Sequence, residues 1–305
     1  MRSKITIGSR GSQLALAQTN EVIHALREFA PHLSCQVVEI KTRGDKRDES
    51  AGDSLEGKSV FTKEIEDSLL NGEIQLAVHS MKDLPTDLPS GLTIGAIPQR
   101  ADHRDALISR GSRRFEQLPG GARVGTSSPR RRTQLLAARS DLEVVGMHGN
   151  VDTRLRKLES GDYDAIVLAA AGLKRLGLER HVTELLSTKI MLPAIGQGAL
   201  AIEARDDDVE TLELISRLDD KSTRCAIEAE RAFARKFGAN CRTPIAAYAK
   251  FQDGKLTIDG MVSSNDGRKL LRSQLTSSSP EPERVGEELA ESLLNKGALL
   301  VMEAS

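Results

Sequence analysis

Tryptophan is absent from the 305 residues, and two tyrosines and six phenylalanines are the only other large aromatics. Such scarcity argues against a surface that stacks nucleobases. An excess of one charge is lacking too: 43 Lys and Arg face 44 Asp and Glu, for a formal net charge of −1. That balance argues against general attraction to nucleic acid or to an anionic membrane. No apolar run approaches the ~20 residues that span a bilayer; the longest uncharged one is Ala165 to Leu173. Met1 to Arg10 carries no apolar signal region, so a cytoplasmic protein is expected. With balanced charge and no heptad pattern, a monomer is expected as well. The three cysteines, Cys35, Cys225 and Cys241, cannot build a disulfide framework, and none has zinc-ligand spacing. No metal site is expected.

What is present is an alternation of strand-like and helix-like segments. Lys4–Ser9 alternates apolar and polar residues and is rich in β-branched side chains. Ser12 can cap a helix carrying Leu14, Leu16, Ala17, Val22, Ile23 and Leu26 at near-helical period. Further strands are predicted at Gln36–Thr42, Leu76–Ser80, Leu92–Pro98, Arg123–Ser127, Glu143–His148, Ala165–Ala170 and Leu200–Arg205, with helices near 61–71, 129–139, 151–160 and 208–218. This is an α/β pattern with largely parallel sheets. The last third changes character: a helix over Ser222–Phe237, three antiparallel strands near 245–251, 255–263 and 268–276 with Asp-Gly turns, and a closing helix through Val285, Leu289 and Leu293 ended by Gly297. Pro98–Arg104 and Leu192–Gly198 read as crossings between two lobes with a hinged cleft. The expected domains are 1–98 with 199–217, then 104–192, then a small α+β domain over 221–305.

Chemistry collects at the predicted strand ends. In Gly125–Arg132 (GTSSPRRR), Ser128 is a good N-cap and Pro129 a good first helical residue. Arg130 and Arg131 then oppose the helix dipole, a conflict that a bound anion would resolve and that a solvated basic turn would leave standing. Arg10 and Ser12 follow the first strand, His148-Gly149-Asn150 precedes a helix with Arg154, and Arg175 follows Ala165–Ala170. In open α/β sheets ligands bind beyond the carboxyl ends of the strands. Arginine suits bidentate carboxylate recognition, so the grouping points to a ligand with several carboxylates. Lys82-Asp83 also ends a strand, either as a solvated pair or as an acid/base carboxylate beside a cation. Cys241 sits in a Gly-Ala-Asn-Cys-Arg turn, either an incidental thiol or one activated by Arg242. Cys35 and Cys225 read as inert.

These residues fall in segments with a known likeness. VHSMKDLP (Val78–Pro85), VGTSSPRR (Val124–Arg131), GNVDTRLRKL (Gly149–Leu158), YDAIVLAAAGLKRLGL (Tyr163–Leu178), LPAIGQGALAIEAR (Leu192–Arg205) and CRTPIAAYA (Cys241–Ala249) resemble the porphobilinogen deaminase, or hydroxymethylbilane synthase, family. The resemblance runs through essentially the whole chain in order. It implies two lobes like those of periplasmic solute-binding proteins and a third domain whose cysteine holds a dipyrromethane cofactor by a thioether bond. It implies a transferase that joins four porphobilinogen units head to tail on that cofactor, losing ammonia each time, and releases hydroxymethylbilane for tetrapyrrole (haem) biosynthesis.

Carried over by position, Cys241 matches the cofactor attachment point. Asp83 matches the catalytic aspartate, with Lys82 and Arg10 beside it. Ser80, Lys82, Asp83, Thr126, Ser128, Arg130, Arg131 and Arg154 match cofactor contacts. Arg10, Ser12, His148, Arg154, Arg175, Gln197, Phe61 and Lys58 match the substrate side, the last two from a loop over the cleft. Departures are visible. His148 stands where the family usually has Arg, and imidazole cannot form the guanidinium fork. Ser54–Ser59 lacks one lysine and some of the glycines usual in the loop, and Ala239-Asn240 replaces a Gly-Gly or Gly-Ser pair before the cysteine. The competing class is a non-catalytic two-lobed protein that binds a small polycarboxylate or oxyanion; it leaves Lys82-Asp83 and Cys241 without a role.

Overall fold

In the computed structural model, which describes residues 2–42, 62–238, 243–278 and 281–303, the alternating segment Lys4–Ser9 is strand β1, with Ile5 and Ile7 fully buried. Ser12 caps helix α1 (Gln13–Phe29) by accepting from the Ala15 N–H at 3.2 Å. There follow β2 (Ser34–Glu39), α2 (Lys63–Leu70), β3 (Leu76–Ser80), β4 (Leu92–Ala96), β5 (Asp105–Ser109), β6 (Arg123–Gly125), α3 (Pro129–Ala138), β7 (Glu143–Val145), α4 (Val151–Glu159), β8 (Ala165–Ala169), α5 (Ala170–Arg175) and β9 (Glu184–Leu185). After these come β10 (Leu200–Arg205), α6 (Val209–Ser216), α7 (Lys221–Lys236), β11 (Ile245–Gln252), β12 (Lys255–Ser263), β13 (Leu270–Ser277), α8 (Pro282–Asn295) and α9 (Ala298–Glu303).

The chain divides into two units, Met1–Ala101 with Ala199–Arg224, and Asp102–Gly198 with Cys225–Ser305. The first holds a five-stranded sheet in the order β2-β1-β3-β10-β4, in which only β10 runs antiparallel to its neighbours. Val22, Ile23 and Leu26 of α1 pack on one face, against Ile5, Ile7, Leu76, Val78 and Ile202. Ile65 and Leu69 of α2 cover the other, against Ile74, Ala77 and Leu92. Each such side chain stabilises by about 1.5–3 kcal/mol relative to exposure.

The second unit repeats the arrangement without repeating the sequence: its larger sheet runs β7-β6-β8-β5-β9, with β5 antiparallel to both neighbours. In each sheet the third strand is followed by an antiparallel strand that borders a change of unit. The same unit carries a three-stranded antiparallel sheet, β11-β12-β13. Asp253 and Gly254, both at positive φ (52° and 72°), make the tight turn between the first two of these strands. Phe233 of α7 and Val285, Leu289 and Leu293 of α8 fill the core against Ile258 and Val262. The architecture is thus α/β in two lobes, with a small C-terminal sheet domain.

Strands Lys4–Ser9, Leu76–Ser80 and Leu200–Arg205 coincide residue for residue with expectation. Strand β5 was not expected. Its five residues are all buried, so it shows no alternation, and it opens on a charged residue that reads as loop. The start of helix α5 was likewise hidden, because its first four residues, 170–173, continue the apolar run of β8.

Candidate active site

In the first unit, β1 and β3 are adjacent and parallel, so Ser9-Arg10 and Ser80 reach the same carboxyl edge of the sheet. Thr19 Oγ1 donates to Ser9 Oγ at 3.0 Å, and Ser9 Oγ to the Arg10 carbonyl at 3.0 Å, which fixes the chain just before Arg10. The hydroxyl oxygen of Ser12 accepts the capping bond of α1, a structural task alongside the substrate contact expected of it. Gln18 donates to Ser80 Oγ at 2.7 Å. Residues Met81–Asp83 then form a single 3-10 turn. Met81 is buried, and its N–H donates to the Ala199 carbonyl at 3.0 Å. That anchor turns Lys82 and Asp83 outward, both exposed. No hydrogen bond or ion pair among the described residues occupies the Asp83 carboxylate.

In the second unit, β6, β7 and β8 are parallel neighbours and present three junctions at one edge. After β6, Gly125 packs so closely that a Cβ there would meet Met147 Cε at 2.7 Å and the Tyr163 ring at 2.9 Å. Thr126 is buried and accepts from the Ser128 N–H at 3.2 Å; Ser128 in turn caps α3, accepting from the Arg131 N–H at 3.4 Å. After β7, exposed His148 places Nε2 3.3 Å from Ser127 Oγ, which is also tied to both backbone groups of Met147 at 2.9 Å. Asn150 caps α4, and Arg154 Nε donates to the Gly149 carbonyl at 2.7 Å. Beyond β8, Arg175 at the end of α5 donates to the Gly198 carbonyl at 3.3 Å, and buried Gln197 donates to the His103 carbonyl at 2.8 Å.

Arg130 and Arg131 are neither solvated nor waiting for a ligand to supply their first counter-charge. Both are buried against Asp105, the first residue of β5, which is fully buried. Arg130 Nη1 reaches Asp105 Oδ2 at 2.8 Å and the Leu192 carbonyl at 2.6 Å. Arg131 Nε reaches Asp105 Oδ1 at 2.9 Å, and its Nη1 the Val167 carbonyl at 3.0 Å. Burial pushes the Asp105 carboxyl up, but the two guanidiniums and their hydrogen bonds outweigh it and hold the pKa at about 2. One carboxylate against two guanidiniums leaves one positive charge at the N-terminus of α3, where the helix dipole adds to it. Asp105 was missed in the sequence. The only signal was a lone acid opening an apolar run, in a chain where two arginines sat at the wrong end of a helix.

The strand ends therefore gather Arg10, Ser12, Ser80, Lys82 and Asp83 in one unit, and Thr126, Ser128, Arg130, Arg131, His148 and Arg154 in the other, with Arg175 and Gln197 at the Gly196–Gly198 segment. Lys58, Phe61 and Cys241 lie outside the described residues. Burial raises the Cys35 and Cys225 thiols, slightly opposed at Cys35 by Arg27 and reinforced at Cys225 by Glu228, so both favour the unreactive thiol form. Among the described residues no group of His, Cys, Asp and Glu is arranged to hold a metal ion.

Two family models match the chain: "Porphobilinogen deaminase, dipyromethane cofactor binding domain" over residues 5–213 and "Porphobilinogen deaminase, C-terminal domain" over residues 224–295. Among curated proteins, the porphobilinogen deaminase of Desulforudis audaxviator is 50% identical over 298 residues, spanning 98% of this chain and 96% of its own. That of Brevibacillus brevis is 47% identical over 296 residues (97% and 95%), and that of Syntrophotalea carbinolica 49% over 302 residues (99% and 96%). With both models covering nearly the whole length and relatives at half identity from end to end, the chain belongs to the porphobilinogen deaminase family.

Proposed function

We propose that the chain is a transferase that joins four porphobilinogen units head to tail on a covalently bound dipyrromethane, releasing ammonia at each addition, to give hydroxymethylbilane for tetrapyrrole (haem) biosynthesis. The observation that carries this reading is the charge imbalance at α3. Arg130 and Arg131 share a single buried carboxylate, so the segment matched to the cofactor-binding family model holds a positive charge with oriented N–H groups beside it. That arrangement suits the acetate and propionate arms of a dipyrromethane, and Thr126, Ser128, Arg130, Arg131 and Arg154 are assigned to hold it, as are Ser80, Lys82 and Asp83. Cys241 is assigned as its attachment point. When bound, the cofactor supplies the primer ring that is extended.

The remaining roles belong to the chain's own groups. Loss of ammonia from the aminomethyl carbon of porphobilinogen leaves positive charge that spreads to the pyrrole N–H. A carboxylate within hydrogen-bond reach stabilises that charge, and the exposed Asp83 carboxylate, held on a turn anchored by Met81, is suited to do so. Lys82 keeps a cation beside it, and Arg10 with Arg175 is assigned to the substrate carboxylates. Ser12, His148, Arg154 and Gln197 complete the substrate side, with Lys58 and Phe61 from the preceding loop. The partition into three domains, a monomeric state, a cytoplasmic location and the absence of a nucleic-acid partner belong to the same proposal. A net charge of −1 supports the absence of a nucleic-acid partner, and no helix among the described residues is long and apolar enough to cross a membrane. An ammonia-release assay with porphobilinogen tests the reading: stoichiometric ammonia with a linear tetrapyrrole product is expected, and tight binding without ammonia would refute it.

A further inference from the structure

Behind the Lys82-Asp83 turn, on the sheet face covered by α2, lie three ionisable groups that the chemistry above does not use: His79 on β3, Glu203 on β10 and Glu66 on α2. Their exposures are 6%, 0% and 4%. Ala77 pairs with Glu203 and His79 with Ala201, so all four side chains share one face of the sheet. His79 Nε2 lies 3.0 Å from Glu203 Oε2, and both groups act electrostatically on Glu66. Nε2, both Glu203 oxygens and Glu66 Oε1 have no hydrogen-bond partner among the described residues.

Two carboxylates in one buried volume cannot both stay ionised beside a single imidazole. A proton held on one of the carboxyls lowers the charge of the set, and its O–H supplies the donor that the unmatched oxygens lack. Burial raises the Glu66 carboxyl, the Glu203 and Asp67 carboxylates add to the rise, and Thr62 and His79 oppose it, which makes Glu66 the group that keeps the proton. Among the described residues, the other charges near this face are engaged or outside it. Arg205, next but one to Glu203 on β10, pairs with Asp207 at 3.2 Å and Asp208 at 3.5 Å. On α2, Lys63 and Asp67 are exposed and Glu64 is half-buried; β1 brings only exposed Lys4 at its start, and β4 has no ionisable residue.

We propose that His79, Glu203 and Glu66 share a proton as one cluster, and that this cluster positions the turn that presents Asp83. Only Ser80 separates His79 from Met81, so whatever fixes the end of β3 also fixes where Asp83 emerges. His79 is thus a positioning residue, on the reading of Asp83 given above.

The test uses the holoenzyme and porphobilinogen. His79→Gln removes the imidazole and leaves two carboxyls together. Its kcat at pH 8 is expected to fall about tenfold, with KM changed less than threefold, and the loss is expected to deepen as pH rises. Adding Glu203→Gln to that variant removes the second carboxyl and is expected to recover kcat to within about threefold of wild type. A role in packing alone would give losses that add instead. Glu66→Gln, which mimics the protonated acid, keeps the proposal testable even if His79→Gln does not fold. A carboxyl whose pKa rises on folding costs stability as pH climbs from its unfolded value toward its folded one, so the melting temperature of Glu66→Gln is expected to gain on wild type as pH rises above the ordinary carboxylate range. A difference that is constant or moves the other way overturns the shared proton, and additive losses or an unaltered pH profile in His79→Gln overturn the positioning. Asp83→Asn, assayed alongside, separates the two readings: near-normal turnover there would remove the role of Asp83 while leaving the Glu66 melting behaviour intact.

Discussion

Asp105→Asn is the sharpest probe of the second unit. The substitution keeps shape and removes one charge from a site that is fully buried and receives hydrogen bonds from both Arg130 and Arg131. Breaking a buried ion pair from one side leaves uncompensated charge and costs about 3–5 kcal/mol; here two cations are stranded. For a unit of this size a loss of 1 kcal/mol lowers the melting temperature by about 2–4 °C, so a fall on the order of 10 °C is expected at pH 7. The same interaction gives a pH signature. The carboxyl titrates at about 2 in the folded chain, below its ordinary 3.8. Its contribution, about 2 kcal/mol by linkage, is therefore complete above about pH 5 and lost progressively as pH falls through about 2. Calorimetric melting of wild type and Asp105→Asn between pH 7 and pH 2 should show the gap between the two curves narrowing by about 2 kcal/mol at the acid end. Adding Arg131→Met to Asp105→Asn should recover part of the loss, because it removes a stranded cation. A loss under about 1 kcal/mol at pH 7, or a gap between the curves that does not narrow on acidification, would refute the account of this triad.

Other outcomes follow from the placement of single side chains. Asp83→Ala alters an exposed carboxylate on an anchored turn, so it should change stability by less than about 0.5 kcal/mol yet cut ammonia release by roughly 100-fold or more; a wild-type kcat would remove Asp83 from the chemistry. His148→Arg places a guanidinium fork at an exposed strand end, and kcat/KM for porphobilinogen should rise by about two- to tenfold; no change would show that the histidine does not limit the reaction.

How far the sequence discloses this structure depends on how local each cause is. Lys4–Ser9 and Leu76–Ser80 announce themselves by the order of their own residues, and the Ser12, Ser128 and Asn150 caps by the helices that follow them. The strand-end sites are legible for the same reason: each lies where an apolar run stops and an arginine or hydroxyl begins. Asp105 is a different case. Its meaning comes from Arg130 and Arg131, 25 and 26 positions later, and no periodicity links an acid to a counter-charge across that distance. Two arginines at a helix N-terminus do signal that an anion is needed. They do not say whether ligand or protein provides it, and here the protein provides the first. His79 is hidden in the same way, since the VHSMKDLP segment draws attention to Lys82 and Asp83 while the partners of the histidine come from α2 and β10.

The central claim is a polypyrrole cofactor held through sulfur by a chain that extends it, and intact-protein mass spectrometry of the purified native protein tests it most directly. The account predicts a mass above that of the polypeptide by a two-ring pyrrole adduct, absent from Cys241→Ser, with further one-ring increments on brief exposure to porphobilinogen. Unmodified polypeptide that nevertheless turns over porphobilinogen, or an adduct that survives in Cys241→Ser, would contradict it.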